Sequence, residues 1–209
     1  MKLYTSISKS LFVLVIGLLF CIPSNAQDDD KILYEGQFAP EFQVRDIEGR
    51  THSIEQYKGK KILLTFYRNA GCPVSNNRLH ELETERKFFE EKGVVLISIY
   101  ESSIENVKLL ADTNHFYQRL VADPEGMLYY KYMVEENKSK IARGMMHGAK
   151  QKTNRGKKLF GKPIKQDGKP NRITADFLID ENGNFILVYY AKYLGDHLPI
   201  ELIKNKLLN

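Results

Sequence analysis

The chain has 209 residues, 43% of them apolar and 27% charged, with a formal net charge of +5 at pH 7. This is the composition of a folded globular protein, and it excludes a disordered or collagen-like chain. Two cysteines are too few for a small disulfide scaffold.

The first 26 residues read as an export signal. Lys2 and Lys9 make a basic start, residues 11–22 an apolar run too short to span a membrane, and Pro23-Ser24-Asn25-Ala26 a small-residue cleavage site. Cleavage after Ala26 is expected. Acylation of Cys21, as in a lipoprotein, is the weaker alternative because bulky Phe20 precedes it. The mature protein is then exported, to a bacterial periplasm, and retains one cysteine, Cys72. Residues 27–34 read as an acidic, flexible lead-in, and residues 35–209 as a single domain.

Residues 43–46 and 51–54, with Glu48-Gly49 between them, read as a hairpin. Residues 62–67 form an apolar run expected to be a buried strand. A polar loop, 68–71, leads to Cys72-Pro73, which opens a helix running to Lys92-Gly93 with Leu79, Leu82 and Phe89 on its apolar face. A cysteine placed where a strand hands over to a helix N-terminus is exposed to unpaired N–H groups and the helix dipole, which favour a thiolate. The alternative for a lone cysteine is a buried, inert one.

Downstream, the pattern predicts a strand at 93–100, a helix at 103–115 capped by Ser102 or Ser103, a strand at 116–122, a turn, and a short helix at 127–133. Alternating strands and helices imply a sheet covered on both faces. Residues 138–172 differ in character. They hold twelve Lys or Arg against Asp167 alone, a net charge of +11, whereas the rest of the chain beyond Ala26 carries 17 basic and 25 acidic residues. This basic insert is expected to be a flexible, solvated loop at the active-site edge, and its charge also suits contact with a membrane surface. Nucleic acid is not expected, because aromatic residues for base stacking are almost lacking there. A strand at 174–180, a turn at Asn182-Gly183, a strand at 185–191 and a helix at 196–208 complete the chain, with Asp196 as N-cap and Leu198, Leu202, Ile203 and Leu207 facing inward.

Three segments carry a family resemblance. Gly36-Gln37-Phe38-Ala39-Pro40-Glu41-Phe42 with Tyr57-Lys58-Gly59-Lys60, the loop Phe66-Tyr67-Arg68-Asn69-Ala70-Gly71-Cys72-Pro73-Val74-Ser75, and residues 174–180 with Gly195-Asp196-His197-Leu198-Pro199 resemble the peroxiredoxin-like branch of the alkyl hydroperoxide reductase/thiol-specific antioxidant superfamily. The resemblance implies an α/β, thioredoxin-like fold with a central mixed sheet flanked by helices, and a thiol-dependent redox activity without a cofactor. Ser75 replaces a second cysteine common in that branch, Asn69 stands where peroxiredoxins have a threonine, Thr174 where they have an arginine, and Ala175 where many redoxins have a proline.

Cys72 is therefore the expected nucleophile, acting on a peroxide or a disulfide. With one cysteine in the mature chain, an external thiol or a thioredoxin-like reductant must regenerate it. Arg68 is either a cation that stabilises charge at the sulfur or a solvated loop residue. Ser75 is either a hydrogen-bond partner of the thiolate or an ordinary polar residue of a first helical turn. Arg172 belongs to the basic run more than to the site, Arg78 and His80 read as surface residues, and His197 as structural. Met145-Met146-His147 lacks the further ligands a metal would require. A monothiol disulfide exchanger and a non-catalytic thioredoxin-like binding module are the competing functions.

Overall fold

The computed structural model describes residues 32–112, 116–159 and 163–208. The proposed signal segment and the greater part of the acidic lead-in lie outside the described residues. The hairpin is present as β1 (Gln43–Arg45) and β2 (Thr51–Ser53), paired antiparallel. The Asp46 carboxylate closes its turn by accepting from the Glu48 and Arg50 amides, each at 2.9 Å.

The apolar run forms β3 (Ile62–Phe66), buried at every position. A strand buried on both faces needs neighbours on both edges, and β3 has them. It pairs in parallel with β4 (Val95–Tyr100) and antiparallel with β6 (Ala175–Ile179). With β5 (Arg119–Ala122) beyond β4 and β7 (Phe185–Tyr190) beyond β6, the sheet order is β5-β4-β3-β6-β7.

Alternate residues of the sheet feed two cores. Ile62, Leu64, Phe66, Ile99 and Phe177 pack with Tyr129 and Tyr132, which are carried on or beside α4 (Met127–Lys131). On the opposite face, Leu63, Leu96 and Leu178 meet α1 (Pro73–Thr84), α2 (Arg86–Glu91) and α7 (Ile200–Leu208) through Leu82, Phe89, Ile203 and Leu207. A helix α3 (Ile104–Ala111), capped by the Ser103 hydroxyl on the Asn106 amide, covers the β4–β5 edge through Val107 and Leu110.

Four expectations are corrected. The helix expected from Cys72 to Lys92 is two helices, broken at Glu85. There the Thr84 hydroxyl donates back to the Glu81 carbonyl at 2.7 Å and Glu85 pairs with Lys204 of α7 at 2.7 Å. The last helix starts at Ile200, so Asp196 is not its N-cap; the Asp196 carboxylate accepts from the Tyr189 hydroxyl and the Lys192 amide. Leu202 is largely exposed rather than facing inward.

The fourth correction is the basic insert, which is no loop over most of its length. It forms α5 (Lys138–Met146) and α6 (Ala149–Leu159). Asn137 caps α5 by accepting from the Lys140 amide at 3.0 Å. Gly156 of α6 lies directly on the start of α1: a Cβ there would sit 1.8 Å from the Pro73 carbonyl oxygen. Lysines of the inner side bond backbone carbonyls, Lys140 to Ala191 and Lys152 to Gly195.

Candidate active site

Cys72 is the N-cap residue of α1, with extended backbone, and Pro73 occupies the first helical position as the sequence implies. The loop that leads to it is held by side chains. Ser75 Oγ accepts from the Arg68 amide at 3.2 Å, Asn76 Nδ2 donates to the Ala70 carbonyl at 2.8 Å, and the Ala70 amide donates to Ser102 Oγ at 2.8 Å. The Cys72 amide turns back onto the Asn69 carbonyl at 3.0 Å.

Arg68 spans the site. Its Nη1 donates to Cys72 Sγ at 3.3 Å and its Nη2 to the Pro170 carbonyl at 2.7 Å. The structure thus brings Cys72, Arg68 and Ser75 together, with Ser75 set on the Arg68 amide. The cysteine is not at an open helix mouth: it is 1% exposed. Residues 163–170 of the insert cross the chain beside it, at Gly71. A Cβ on Gly71 would lie 2.5 Å from the Ile164 carbonyl oxygen, so only glycine admits this crossing. Asp167 anchors the crossing by accepting from the Ser102 hydroxyl, the Ser103 amide at 2.9 Å and Asn106 Nδ2 at 2.8 Å. Of the polar groups, Arg68 is the one that meets the sulfur, and the crossing lies over the neighbouring Gly71.

Arg172 lies outside the site. It is buried against Glu101 through Nη2–Oε1 at 2.7 Å and Nε–Oε2 at 3.1 Å, over the face of Tyr129. Arg78, expected on the surface, is buried too, donating to the Leu198 carbonyl at 2.6 Å. His80 is exposed. The His197 side chain is buried and its Nδ1 lies 3.2 Å from Asp176 Oδ2, which also accepts from the Leu198 amide at 2.8 Å. Burial pushes the His197 imidazole below its usual range against the pull of Asp176. Burial would raise the Asp176 carboxyl, but His197, Arg78 and the Leu198 amide outweigh it and hold it low. The Tyr100 hydroxyl, beside Tyr67, Tyr129 and Cys72, is pushed well up by burial. His147 stacks on Tyr193. Ser102, Asp167 and Pro170 were not legible as site residues, because only the folded chain brings them to the loop. Clefts of about 320 and 420 Å³ elsewhere on the surface are lined by none of Cys72, Arg68 and Ser75.

A five-stranded mixed sheet with helices on both faces, and a cysteine at the β3–α1 junction, defines a thioredoxin-like redoxin fold. Residues 36–188 match the AhpC/TSA family, and the chain belongs to that family. Thiol-disulfide oxidoreductase ResA of Oceanobacillus iheyensis is 29% identical over 111 residues, 50% of this chain and 55% of that protein. The chain spans about half the length of the curated relatives it first matches. Solved structures of similar fold include Peroxidoxin BcpB of Mycobacterium tuberculosis, at TM-score 0.59 and 16% identity over 84% of this chain and 97% of that one. A mutant PrxQ of Xylella fastidiosa gives TM-score 0.61 at 15% identity, over 84% and 96%.

Proposed function

We infer that the protein is an exported, one-cysteine thiol peroxidase with Cys72 as its redox centre. The observation that carries this reading is the Arg68 guanidinium 3.3 Å from the Cys72 sulfur at a helix N-terminus. A guanidinium so placed can pair with the thiolate and with charge developing on a peroxide oxygen. The thiolate attacks one oxygen of the O–O bond, which breaks. The sulfur is oxidised to a sulfenic acid, and the other oxygen leaves as alkoxide and takes up a proton. An external thiol then attacks the sulfenic sulfur and water departs. A second thiol cleaves the mixed disulfide, so one peroxide and two thiols give an alcohol, water and a disulfide. Access to the sulfur requires the Asp167-anchored crossing to open.

Export is supported by the pattern of residues 1–26. The relationship to ResA favours a second reading, in which the same thiolate attacks a disulfide instead.

The test is to expose the full chain to hydrogen peroxide with a dimedone-type trap and to look by mass spectrometry for a sulfenate at Cys72. Labelling is expected to be faster than in an unfolded cysteine peptide and absent in Cys72→Ser. Labelling no faster than the peptide overturns the peroxidase and leaves the disulfide exchanger or a binding module. Rates with an alkyl hydroperoxide and with a mixed disulfide then separate the two redox readings.

A further inference from the structure

The helix pair α5–α6 has a charge pattern that folding alone does not require. Together the two helices hold eight Lys or Arg and no Asp or Glu. Elsewhere several helical cations pair with a carboxylate one turn away, as with Arg86–Glu90 in α2 and Lys204–Glu201 in α7. Here Lys152 bonds an inner carbonyl, and Lys140 bonds another and pairs with Glu135 at 2.5 Å. Lys138, Arg143, Lys150, Arg155, Lys157 and Lys158 face outward without a carboxylate partner among the described residues. Their mutual repulsion weakens the helices and is relieved by an anionic surface.

Position says which surface. Gly156 seats α6 on Pro73, the residue after Cys72, and the extended segment 163–170 beyond α6 crosses Gly71 and receives Arg68. The cations are thus carried on a helix packed against the start of α1, where Cys72 lies. Resting on the reading of Cys72 as the only redox centre of the mature chain, turnover requires an external thiol to arrive there. Exposed Met145 and Met146 at the end of α5 add adaptable apolar contacts beside the cations.

We propose that the outward face of α5–α6 is the docking surface for an acidic, thiol-bearing protein that regenerates Cys72. A lipid surface fits less well. Interfacial helices carry a broad apolar face, whereas the outward positions of α6 are Lys150, Gln151, Asn154, Arg155, Lys157 and Lys158, with Leu159 alone apolar.

The experiment uses the full chain and a short fluorescent peptide of Asp and Glu around one serine, read by polarisation. At low salt the wild type is expected to bind it at least about tenfold more tightly than K150E/R155E/K157E/K158E, and the difference to close as salt rises. The milder K150Q/K157Q should fall between, with unchanged circular dichroism. A cysteine version of the peptide should form a disulfide with peroxide-treated Cys72 faster than its lysine counterpart does. Equal peptide affinity of wild type and the reversed variant overturns the proposal, as does salt-sensitive binding to phosphatidylglycerol vesicles without peptide binding. The serine peptide reports docking whether or not Cys72 reacts. Its failure is therefore distinct from a missing sulfenate, which would overturn the peroxidase reading instead.

Discussion

Arg68 shows how much one side chain carries. Its two terminal nitrogens serve different masters, the Cys72 sulfur and the Pro170 carbonyl, and only a planar fork can hold both. Arg68→Met is expected to slow sulfenate formation roughly ten- to a hundredfold, and Arg68→Lys to restore part of the loss, read from initial rates of peroxide-dependent labelling. An unchanged rate in Arg68→Met would separate the guanidinium from the chemistry. Arg172 calls for the opposite argument. Its side chain and that of Glu101 are 6% and 2% exposed, so removing one partner leaves a buried charge. Arg172→Met should cost about 3–5 kcal/mol in urea unfolding, and adding Glu101→Gln should recover much of it. Losses that add independently in the double variant would rule out the pair as a unit. Cys72 and Arg68 were legible because they share one loop. The Arg172–Glu101 pair was not, because 71 residues separate them and a basic run disguises the arginine.

At the scale of elements, periodicity identified the sheet well. β3, β4, β6 and β7 are apolar runs, and Asn182-Gly183 marks the last hairpin. The insert escaped the same test because its inner face is not apolar. Gly144, Ala149, Lys152, Thr153 and Gly156 make the packing side, so no hydrophobic stripe advertises the helices. Close approach replaces apolar area there, and this sets up a discriminating substitution. Gly156→Ala would favour helix in an isolated α6 peptide by about 1 kcal/mol. In the protein its Cβ collides with the Pro73 carbonyl, so a loss of about 1–3 kcal/mol is expected. Cys72 should also be alkylated faster by a maleimide as α6 lifts away. Faster alkylation without destabilisation would mean that the insert opens independently of the core. Wild-type behaviour in both would mean that α6 does not sit on α1 in solution.

For the molecule as a whole, a buried polar knot ties the layers together and makes stability depend on pH. His197 precedes α7, Asp176 lies on β6 and Arg78 on α1, while Tyr67 from the end of β3 and Lys152 from α6 face the same imidazole. The His197 imidazole is held below its unfolded value of about 6.5, so between that value and the folded one the unfolded chain binds the extra proton. Stability is therefore full above pH 6.5 and is lost as pH falls through this window, by at most about 1.4 kcal/mol per pH unit. Asp176 acts in the same direction further down: its folded carboxyl is depressed, so its contribution is lost only at strongly acid pH. His197→Asn keeps an N–H that can meet Asp176 but cannot titrate. Urea midpoints at pH 7, 6 and 5 should fall for the wild type and fall less for His197→Asn, so that the two chains converge as pH drops. Parallel curves would show that His197 takes up its proton equally in the folded and unfolded chains, and that the knot is not where acid unfastens the fold.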